Sequence, residues 1–292
     1  AKKKLKLQGG KSKMSLTIFG ANSFSRKLAK SLGKNYASVR LADTNPFRRA
    51  VYDLQESNTD LKIEKVSIHD KRDIGNAVRG SKDVIFVTHD YFLHAPCKNS
   101  VLKKTSDVIA VETPERFIAV TPIEFDHYGE ADVAGAKAKT AEHVFNKVPS
   151  ATIINPNLLF GEGSYFVHYL IQCALKSKSG PGGDTTFAPV GTDDVAALIE
   201  KALKGDSTKG KFYNLDAANG VKYSQIVDAV SSYAGKNLGK DSLLSTLLNI
   251  PLIAEELYGN HAINMTKMLS QDFSPKTGGD SITKDLSYEL KD

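Results

Sequence analysis

The sequence predicts an α/β fold in which helices cover both faces of a parallel sheet. Short apolar runs alternate with helix-like segments from residue 16 to about residue 160, as they do where crossover helices link parallel strands. The first unit is a strand, a glycine turn and an amphipathic helix in immediate succession, which is how a dinucleotide-binding domain opens. We therefore predict a Rossmann-like, doubly wound parallel sheet with a smaller C-terminal α/β lobe.

The opening unit spans residues 16–32. Leu16–Phe19 is a short, mostly apolar run, and Gly20 permits the tight turn that leaves it. The next segment places apolar residues at the spacing of one helix face. These residues are Phe24, Leu28, Ala29 and Leu32.

The loop of this unit has lost most of its glycines. The usual pattern is Gly-x-x-Gly-x-x-Gly, in which the second glycine lets the backbone approach a pyrophosphate and the third packs helix on strand. Only Gly20 remains, and Ser23 and Arg26 stand at the other two positions. A Cβ at Ser23 costs about 1 kcal/mol if that position needs a positive φ. Two interpretations stay open: a loop that still binds a nucleotide at the helix N-terminus, and a turn kept for folding alone.

The remaining core elements follow in order. Runs of β-branched and other apolar residues predict strands at Ser38–Ala42, Leu61–Ile68, Asp83–Thr88 and Ala151–Ile154. Helical spacing between these runs predicts helices after Pro46 and over Ile74–Val78, Ser100–Lys104 and Ala134–Phe145. One further strand has two candidates, Val108–Val111 and the stronger Arg116–Val120.

Beyond residue 160 the alternation is weaker. Thr192–Leu203 has strong helical spacing, with Thr192 as the expected N-cap and Gly205 at the end. Lys211–Leu215 is a predicted strand and Tyr223–Tyr233 a predicted helix.

These patterns suggest four regions. They are a basic arm (1–15), a Rossmann-like core (16–160), a smaller lobe interleaved with the core (161–275) and a polar tail (276–292). We expect the tail to be poorly ordered, because it is polar and contains a Gly-Gly pair.

Composition narrows the class of protein. No apolar run approaches the roughly 18–20 residues of a transmembrane helix. Cys97 and Cys173 lie far apart and favour a reducing compartment, and no metal-ligand spacing occurs. Six lysines before residue 14 contribute to the net charge of +6. Such an arm can contact acidic lipid, nucleic acid or an acidic protein, although a solvated tail is the simpler interpretation.

In several segments, the chain resembles the atypical, extended short-chain dehydrogenases/reductases (SDRs). The segment TIFGANSFSRKLAKSLG is similar to the family's nucleotide-binding opening, and VSIHDKRDIGNAVRGSKDVIFVT to its third strand, acidic turn, helix and fourth strand. RFIAVTPIEF, PSATIINPNLLFGEGSYF and FAPVGTDDVAALIEKAL resemble its later motifs in the same order. GGKSKMSLTIFG and INMTKMLSQDF are similar to one branch, the SDR-like accessory subunit of mitochondrial respiratory complex I.

The resemblance implies a site for NAD or NADP. The residues expected to contact the cofactor are Gly20, Asn22, Ser23, Phe24, Ser25, Asp43, Asp70 and Thr88. A carboxylate at Asp43 favours NAD, because it accepts from the ribose 2′-OH and repels a 2′-phosphate, whereas the complex I branch holds NADPH. Structural roles are the alternatives: Asp43 begins a turn, Asp70 caps a helix and Thr88 caps a strand.

The resemblance also implies which catalytic residues to seek. An active SDR places a Tyr-x-x-x-Lys pair on one helix face, so that the lysine lowers the tyrosine pKa. The corresponding positions here are Ala134 and Ala138, and Thr121 stands where the catalytic serine usually lies. We therefore expect no catalytic residues. The complex I branch keeps the pair, and this chain departs from it.

The resulting hypothesis is a non-catalytic SDR-like accessory subunit of mitochondrial complex I. The resemblance implies a structural or assembly role on the matrix side of the inner membrane. The expected partners are other complex I subunits near the quinone-binding region, with an anionic lipid surface as a further candidate and no nucleic acid. The alternatives are an active NAD(P)-dependent reductase or epimerase, an NmrA-like nucleotide-sensing regulator, and a basic subunit of another mitochondrial assembly.

Overall fold

The fold is described from a computed structural model of the 292-residue chain. The ranges that the structure describes are 14–20, 23–43, 61–67, 69–87, 98–121, 133–161, 186–217, 219–234 and 282–290.

The secondary structure of these ranges alternates as the sequence predicts. The strands are β1 (Ser15–Phe19), β2 (Ser38–Asp43), β3 (Leu61–Lys65), β4 (Asp83–Val87), β5 (Arg116–Val120), β6 (Thr152–Pro156), β7 (Leu159–Phe160), β8 (Thr186–Phe187), β9 (Val190–Gly191), β10 (Lys211–Leu215) and β11 (Val221–Lys222). The helices are α1 (Ser23–Leu32), α2 (Lys71–Val78), α3 (Lys98–Glu112), α4 (Val133–Lys147), α5 (Thr192–Lys204), α6 (Tyr223–Ala234) and α7 (Ile282–Asp285), and a 3-10 turn covers Gly33–Asn35.

Within the described ranges, seven strands form one sheet in the order β10-β6-β5-β4-β1-β2-β3. All neighbouring strands run parallel, and Ile18 in β1 pairs with Leu41 in β2 and Ile85 in β4. The chain order reverses between β1 and β4, which is the topological switch point of a doubly wound sheet. The predicted fold class is confirmed.

Each face of the sheet buries its own apolar cluster, because successive strand residues point to opposite faces. One cluster joins Ile18, Ile85 and Ile118 to the apolar sides of α1 and α5. The other joins Phe86 and Phe117 to α2, α3 and α4. Helices therefore cover both faces. Two short pairings, β8 with β11 (antiparallel) and β7 with β9 (parallel), lie beside this sheet.

The two candidates for the fifth strand are resolved. Arg116–Val120 is β5, whereas residues 108–111 belong to α3. The Val108–Val111 alternative is therefore wrong. The residues that α3 buries, Val101, Leu102, Thr105, Val108 and Ile109, recur at helical spacing. Val111 is 78% exposed, which continuous burial in a strand would not allow.

The N-cap prediction for α5 is also wrong. Thr192 is the first helical residue, and Gly191 before it has the extended backbone of an N-cap, with φ −61° and ψ 133°. Asp193 and Asp194 in the first turn and Lys201 and Lys204 in the last turn complement the helix dipole. Gly205 is the C-cap, as predicted. The helix predicted after Pro46 lies outside the described residues.

The end of the chain differs from the prediction of a poorly ordered tail. Residues 282–290 pack on the core: Ile282 is 1% exposed, and Leu286, Tyr288 and Leu290 are half-buried against the α1–α5 cluster. The Tyr288 hydroxyl donates to Asp194 Oδ1 over 2.6 Å. We call residues 282–290 the C-terminal strap. The other region boundaries stay predictions.

Among the described helices, none has both the length and the apolar character to span a membrane.

Candidate nucleotide-binding site

The candidate site lies where the chain leaves β1. Gly20 is buried and has φ 96°, a left-handed backbone that side chains with a Cβ rarely adopt. Its N–H donates to the carbonyl of Ala42 over 2.9 Å and so ties the turn to β2. Gly20 is therefore required by the backbone itself, whether or not a ligand is bound.

Helix α1 begins at Ser23, immediately after the loop. A helical backbone does not require glycine, so the strain considered for a positive φ at Ser23 does not arise. The N-terminus of a helix favours an anion, because its backbone N–H groups and its dipole point towards the ligand. Asn22 lies outside the described residues.

Two of the predicted loop contacts have buried side chains. Phe24 is 1% exposed and belongs to the α1–α5 cluster, and Ser25 is 0% exposed. The side chain of Phe24 therefore serves the core, and only backbone groups at this position can face a phosphate. Arg26, at the third glycine position, is partly exposed.

Asp43 ends β2 beside the loop. The register pairs Phe19 with Ala42, so that Asp43 lies across from Gly20. Asp43 is 4% exposed, and its carbonyl accepts from the N–H of Val66 over 2.8 Å. In a dinucleotide-binding sheet, the acidic residue at this position accepts a hydrogen bond from the ribose.

Asp70 has a structural role, which was the alternative interpretation of this residue. Its carboxylate accepts from the backbone N–H of Arg72 over 2.8 Å and caps α2. Asp73 in the same first turn accepts from the N–H of Ser67 over 3.3 Å. Asp70 is exposed at the end of the sheet beyond β3. Thr88 lies outside the described residues.

Lys27 is a residue that the sequence reasoning missed. Its ammonium, on a side chain only 13% exposed, lies 2.8 Å from Thr192 Oγ1 and 2.8 Å from Asp193 Oδ1. The contact joins α1 to the first turn of α5, so both helices begin at the same edge of the sheet. Thr192 is 165 residues from Lys27 and Asp193 is its neighbour in the chain, so no local pattern could have revealed these contacts.

Polar side chains also connect the carboxyl ends of β5, β6 and β10. Asn155 Nδ2 donates to Asn214 Oδ1 over 2.9 Å, and the Thr121 hydroxyl lies 3.4 Å from Asn155 Oδ1. Asn157 Nδ2 donates to Asp216 Oδ1 over 2.8 Å. Thr121 thus has a hydrogen-bond partner in the neighbouring strand β6, which gives its hydroxyl a structural role.

The helix that would hold the catalytic pair is α4. It runs from Val133 to Lys147 and contains both Ala134 and Ala138, with Ala138 and Lys139 exposed. A methyl group cannot relay a proton to a carbonyl. Within the described residues, no group of three or more His, Cys, Asp or Glu side chains is placed to hold a metal.

Solved structures share this architecture. The UDP-glucose 4-epimerase of Thermotoga maritima, solved with UDP-glucose, superposes with a TM-score of 0.61 at 15% identity, covering 76% of this chain and 83% of the epimerase. The dTDP-glucose 4,6-dehydratase DesIV of Streptomyces venezuelae, solved with NAD and TYD, gives a TM-score of 0.62 at 14% identity, covering 77% and 82%. The chain therefore shares the fold of this epimerase and this dehydratase. At these identities the likeness concerns the fold alone.

Sequence comparison points to one branch of SDR-like proteins. The chain is 36% identical over 104 residues to the Arabidopsis thaliana NADH dehydrogenase [ubiquinone] 1 alpha subcomplex subunit 9, covering 34% of this chain and 26% of that protein. It is 27% identical over 236 residues to the Mus musculus subunit of the same name, covering 73% and 60%. The Neurospora crassa NADH-ubiquinone oxidoreductase 40 kDa subunit is 23% identical over 222 residues, covering 71% and 58%.

The suspected resemblance to this SDR-like branch is confirmed by these relatives. The chain spans between 26% and 60% of the length of the relatives it matches. No family model matches the chain.

Proposed function

We propose that this protein is a non-catalytic, SDR-like accessory subunit of mitochondrial NADH:ubiquinone oxidoreductase, or complex I. The observation that carries the proposal is its similarity to complex I subunits from a plant, a fungus and a rodent. In the mouse comparison this similarity extends over 73% of the chain. A structural or assembly role follows, because an SDR core without its proton relay still offers a large folded surface.

The proposal that the protein is not catalytic rests on the residues of helix α4. Alanines occupy the expected tyrosine and lysine positions, Ala134 and Ala138. The remaining candidate, Thr121, is hydrogen-bonded within the sheet edge. An active reductase or epimerase is the second candidate, since the structural neighbours include an epimerase and a dehydratase. Turnover of NADH or NADPH with carbonyl substrates, above the uncatalysed rate, would support that candidate and contradict ours.

A bound NAD or NADP is proposed as a stabilising ligand rather than a reactant. The turn at Gly20, the N-terminus of α1 at Ser23 and Asp43 at the end of β2 lie at the switch point, where such a ligand binds in this fold. A ligand that binds only the folded state at 100 times its Kd stabilises that state by about 2.7 kcal/mol. The adenine would lie towards Asp70, with Asn22, Phe24, Ser25 and Thr88 completing the proposed contacts.

A thermal melt with and without nucleotide tests this part. At about 2 °C per kcal/mol for a chain of this size, saturating NADH or NADPH should raise the Tm by about 5 °C. Gly20→Ala should remove this shift, because a Cβ distorts the turn under the pyrophosphate. Gly80→Ala is the matched control. Its φ of 74° brings similar strain, but no atom lies within 4 Å of the added Cβ and the site is untouched.

Two outcomes would leave the loop with a folding role alone. One is a nucleotide-dependent rise in Tm that persists in Gly20→Ala, and the other is a wild-type Tm that neither NADH nor NADPH raises.

The placement of the protein is part of the proposal. We place it peripherally on the matrix side of the inner membrane, against complex I subunits near the quinone-binding region. A non-denaturing gel of mitochondrial membranes tests it. The chain should co-migrate with NADH dehydrogenase activity, and migration elsewhere, or absence from the membranes, would overturn the assignment.

A further inference from the structure

A cleft lies at the opposite edge of the sheet, where the strands begin. It has a volume of about 500 Å³ and lies between the starts of β4 and β5, the 3-10 turn and the last turn of α5. The candidate nucleotide site lies at the carboxyl ends of the strands, so the sheet separates the two regions. Neither the fold nor the relatives' names assign a role to this cleft.

Two buried charged side chains line the cleft side by side. Asp83 and Arg116 are the paired first residues of β4 and β5, and they are 1% and 4% exposed. Burial of a charge is costly unless every polar atom is paired. The hydrogen-bond partners of these two side chains therefore decide how costly their burial is.

Each residue has one polar atom unpaired among the described residues. Asp83 Oδ2 accepts from the Tyr36 hydroxyl over 2.6 Å, but Asp83 Oδ1 has no partner. Arg116 Nη2 donates to Thr208 Oγ1 over 2.9 Å and Nη1 lies 3.4 Å from Asp206 Oδ1, but Nε has no partner. An unpaired buried polar atom destabilises the folded state, because it has lost water without gaining a partner.

The unpaired atoms are of opposite kinds, one acceptor and one donor. Burial raises the pKa of Asp83, and the one hydrogen bond from Tyr36 offsets only part of this effect. A ligand that offers both an N–H and a carbonyl oxygen would satisfy both atoms. A peptide unit has this combination.

The rim of the cleft has no net charge. Its lining contains four cationic side chains, Lys82, Arg116, Lys204 and Lys209, and four carboxylates, Asp83, Glu115, Glu200 and Asp206. Most are paired across the rim, as Lys204 is with Glu200 at 2.7 Å and Lys82 with Glu115 at 3.6 Å. A phosphate or an anionic lipid surface needs an excess of cations, which this rim lacks. A polypeptide with charges of both signs matches it.

We propose that this cleft docks an extended segment of a neighbouring polypeptide, which carries both signs of charge and pairs its backbone with Asp83 and Arg116. The inference rests on the proposed function, because the neighbour is another subunit of the same assembly. Asp206 covers Arg116 in the free chain. Its side chain is 82% exposed and its contact with Arg116 is long, so an incoming segment displaces it at little cost.

Incorporation into the assembly tests the proposal. The variant Glu115→Lys reverses a rim charge on a side chain that is 70% exposed, so the fold is retained. The control is Glu142→Lys, which makes the same charge change at an exposed position on α4. Both variants should melt within about 2 °C of the wild type.

We expect the rim variant to co-migrate with NADH dehydrogenase activity about tenfold less than the control does. Equal incorporation of the rim variant and the control would overturn the docking site and leave the proposed function standing. Failure of the wild type to co-migrate would overturn the proposed function, and with it the neighbour that the inference requires.

A photo-crosslinking residue at position 204, whose lysine is 65% exposed, identifies the occupant. A polypeptide adduct in the native assembly supports the proposal. An adduct with lipid alone, or none while the chain is incorporated, contradicts it.

Discussion

Replacing Ile282 should destabilise the whole protein, although this residue lies only ten positions from the end of the chain. Ile282 is 1% exposed and packs in the α1–α5 cluster. Truncation of such a side chain to alanine costs about 2–5 kcal/mol, the transfer free energy plus the cavity left behind. We expect about 3 kcal/mol for Ile282→Ala, because a terminal segment can relax partly into the cavity.

Urea denaturation followed by circular dichroism measures this change. With an m-value near 3 kcal/mol per molar, the urea midpoint should fall by about 1 M. Glu289→Ala is the matched control in the same strap. Its side chain is exposed, and such substitutions change stability by less than about 0.5 kcal/mol.

Limited proteolysis gives a second measurement on the same variants. Lys284 is exposed but lies in the strap, so trypsin needs local opening to cleave after it. Cleavage there should be slow in the wild type and the Glu289→Ala control, and faster in Ile282→Ala. A stability change below about 0.5 kcal/mol in Ile282→Ala, with equal cleavage rates, would refute the reasoning and restore the prediction of an unordered tail.

Two further predictions concern charged contacts. Burial acts against ionisation of Asp107, but hydrogen bonds from Lys71 (2.8 Å) and His143 (2.9 Å) dominate and lower its pKa. Asp107→Asn should therefore lower the free energy of unfolding by about 1 kcal/mol at neutral pH. The difference in urea midpoint between the variant and the wild type should vanish as the pH falls through the folded-state pKa of Asp107, which lies below 3.8. A difference that stays constant down to pH ~2 would contradict this reasoning. Burial, then the hydrogen bond to a carboxylate, raises the pKa of Tyr288 to about 12, so its stabilising effect is complete below about pH 10 and is lost towards pH 12. The stability difference between wild type and Tyr288→Phe should shrink over that interval, and a difference that grows instead would show that the hydroxyl is not the donor.

Local patterns predicted most of the core. The buried side of α1 consists of Phe24, Leu28, Ala29 and Leu32, as their spacing indicated. The turn residue Gly20 was identified from its place after an apolar run, and its φ of 96° shows why glycine is needed. These predictions succeeded because helix and strand periods are written in neighbouring residues.

The same local reasoning failed where two structures share one pattern. Residues 108–111 are apolar and suit a strand, but they belong to α3, which buries Val108 and Ile109 and exposes Val111. Thr192 suits an N-cap, but the backbone places Gly191 there and the Thr192 hydroxyl accepts from Lys27. The polar composition of the chain end also concealed Ile282, a buried residue among half-buried and exposed ones.

By itself, the sequence determined the order of strands and helices, the apolar side of α1 and the strand–turn–helix at Gly20, because each depends on residues close together in the chain. Only the tertiary structure decided which distant groups meet. Tyr36 reaches Asp83 across 47 positions, and Asp83 lies beside Arg116 because β4 and β5 are neighbours in register. Strand order and register are set by packing of the whole sheet, which no short segment encodes. The cleft at the amino edge of the sheet is a product of that packing.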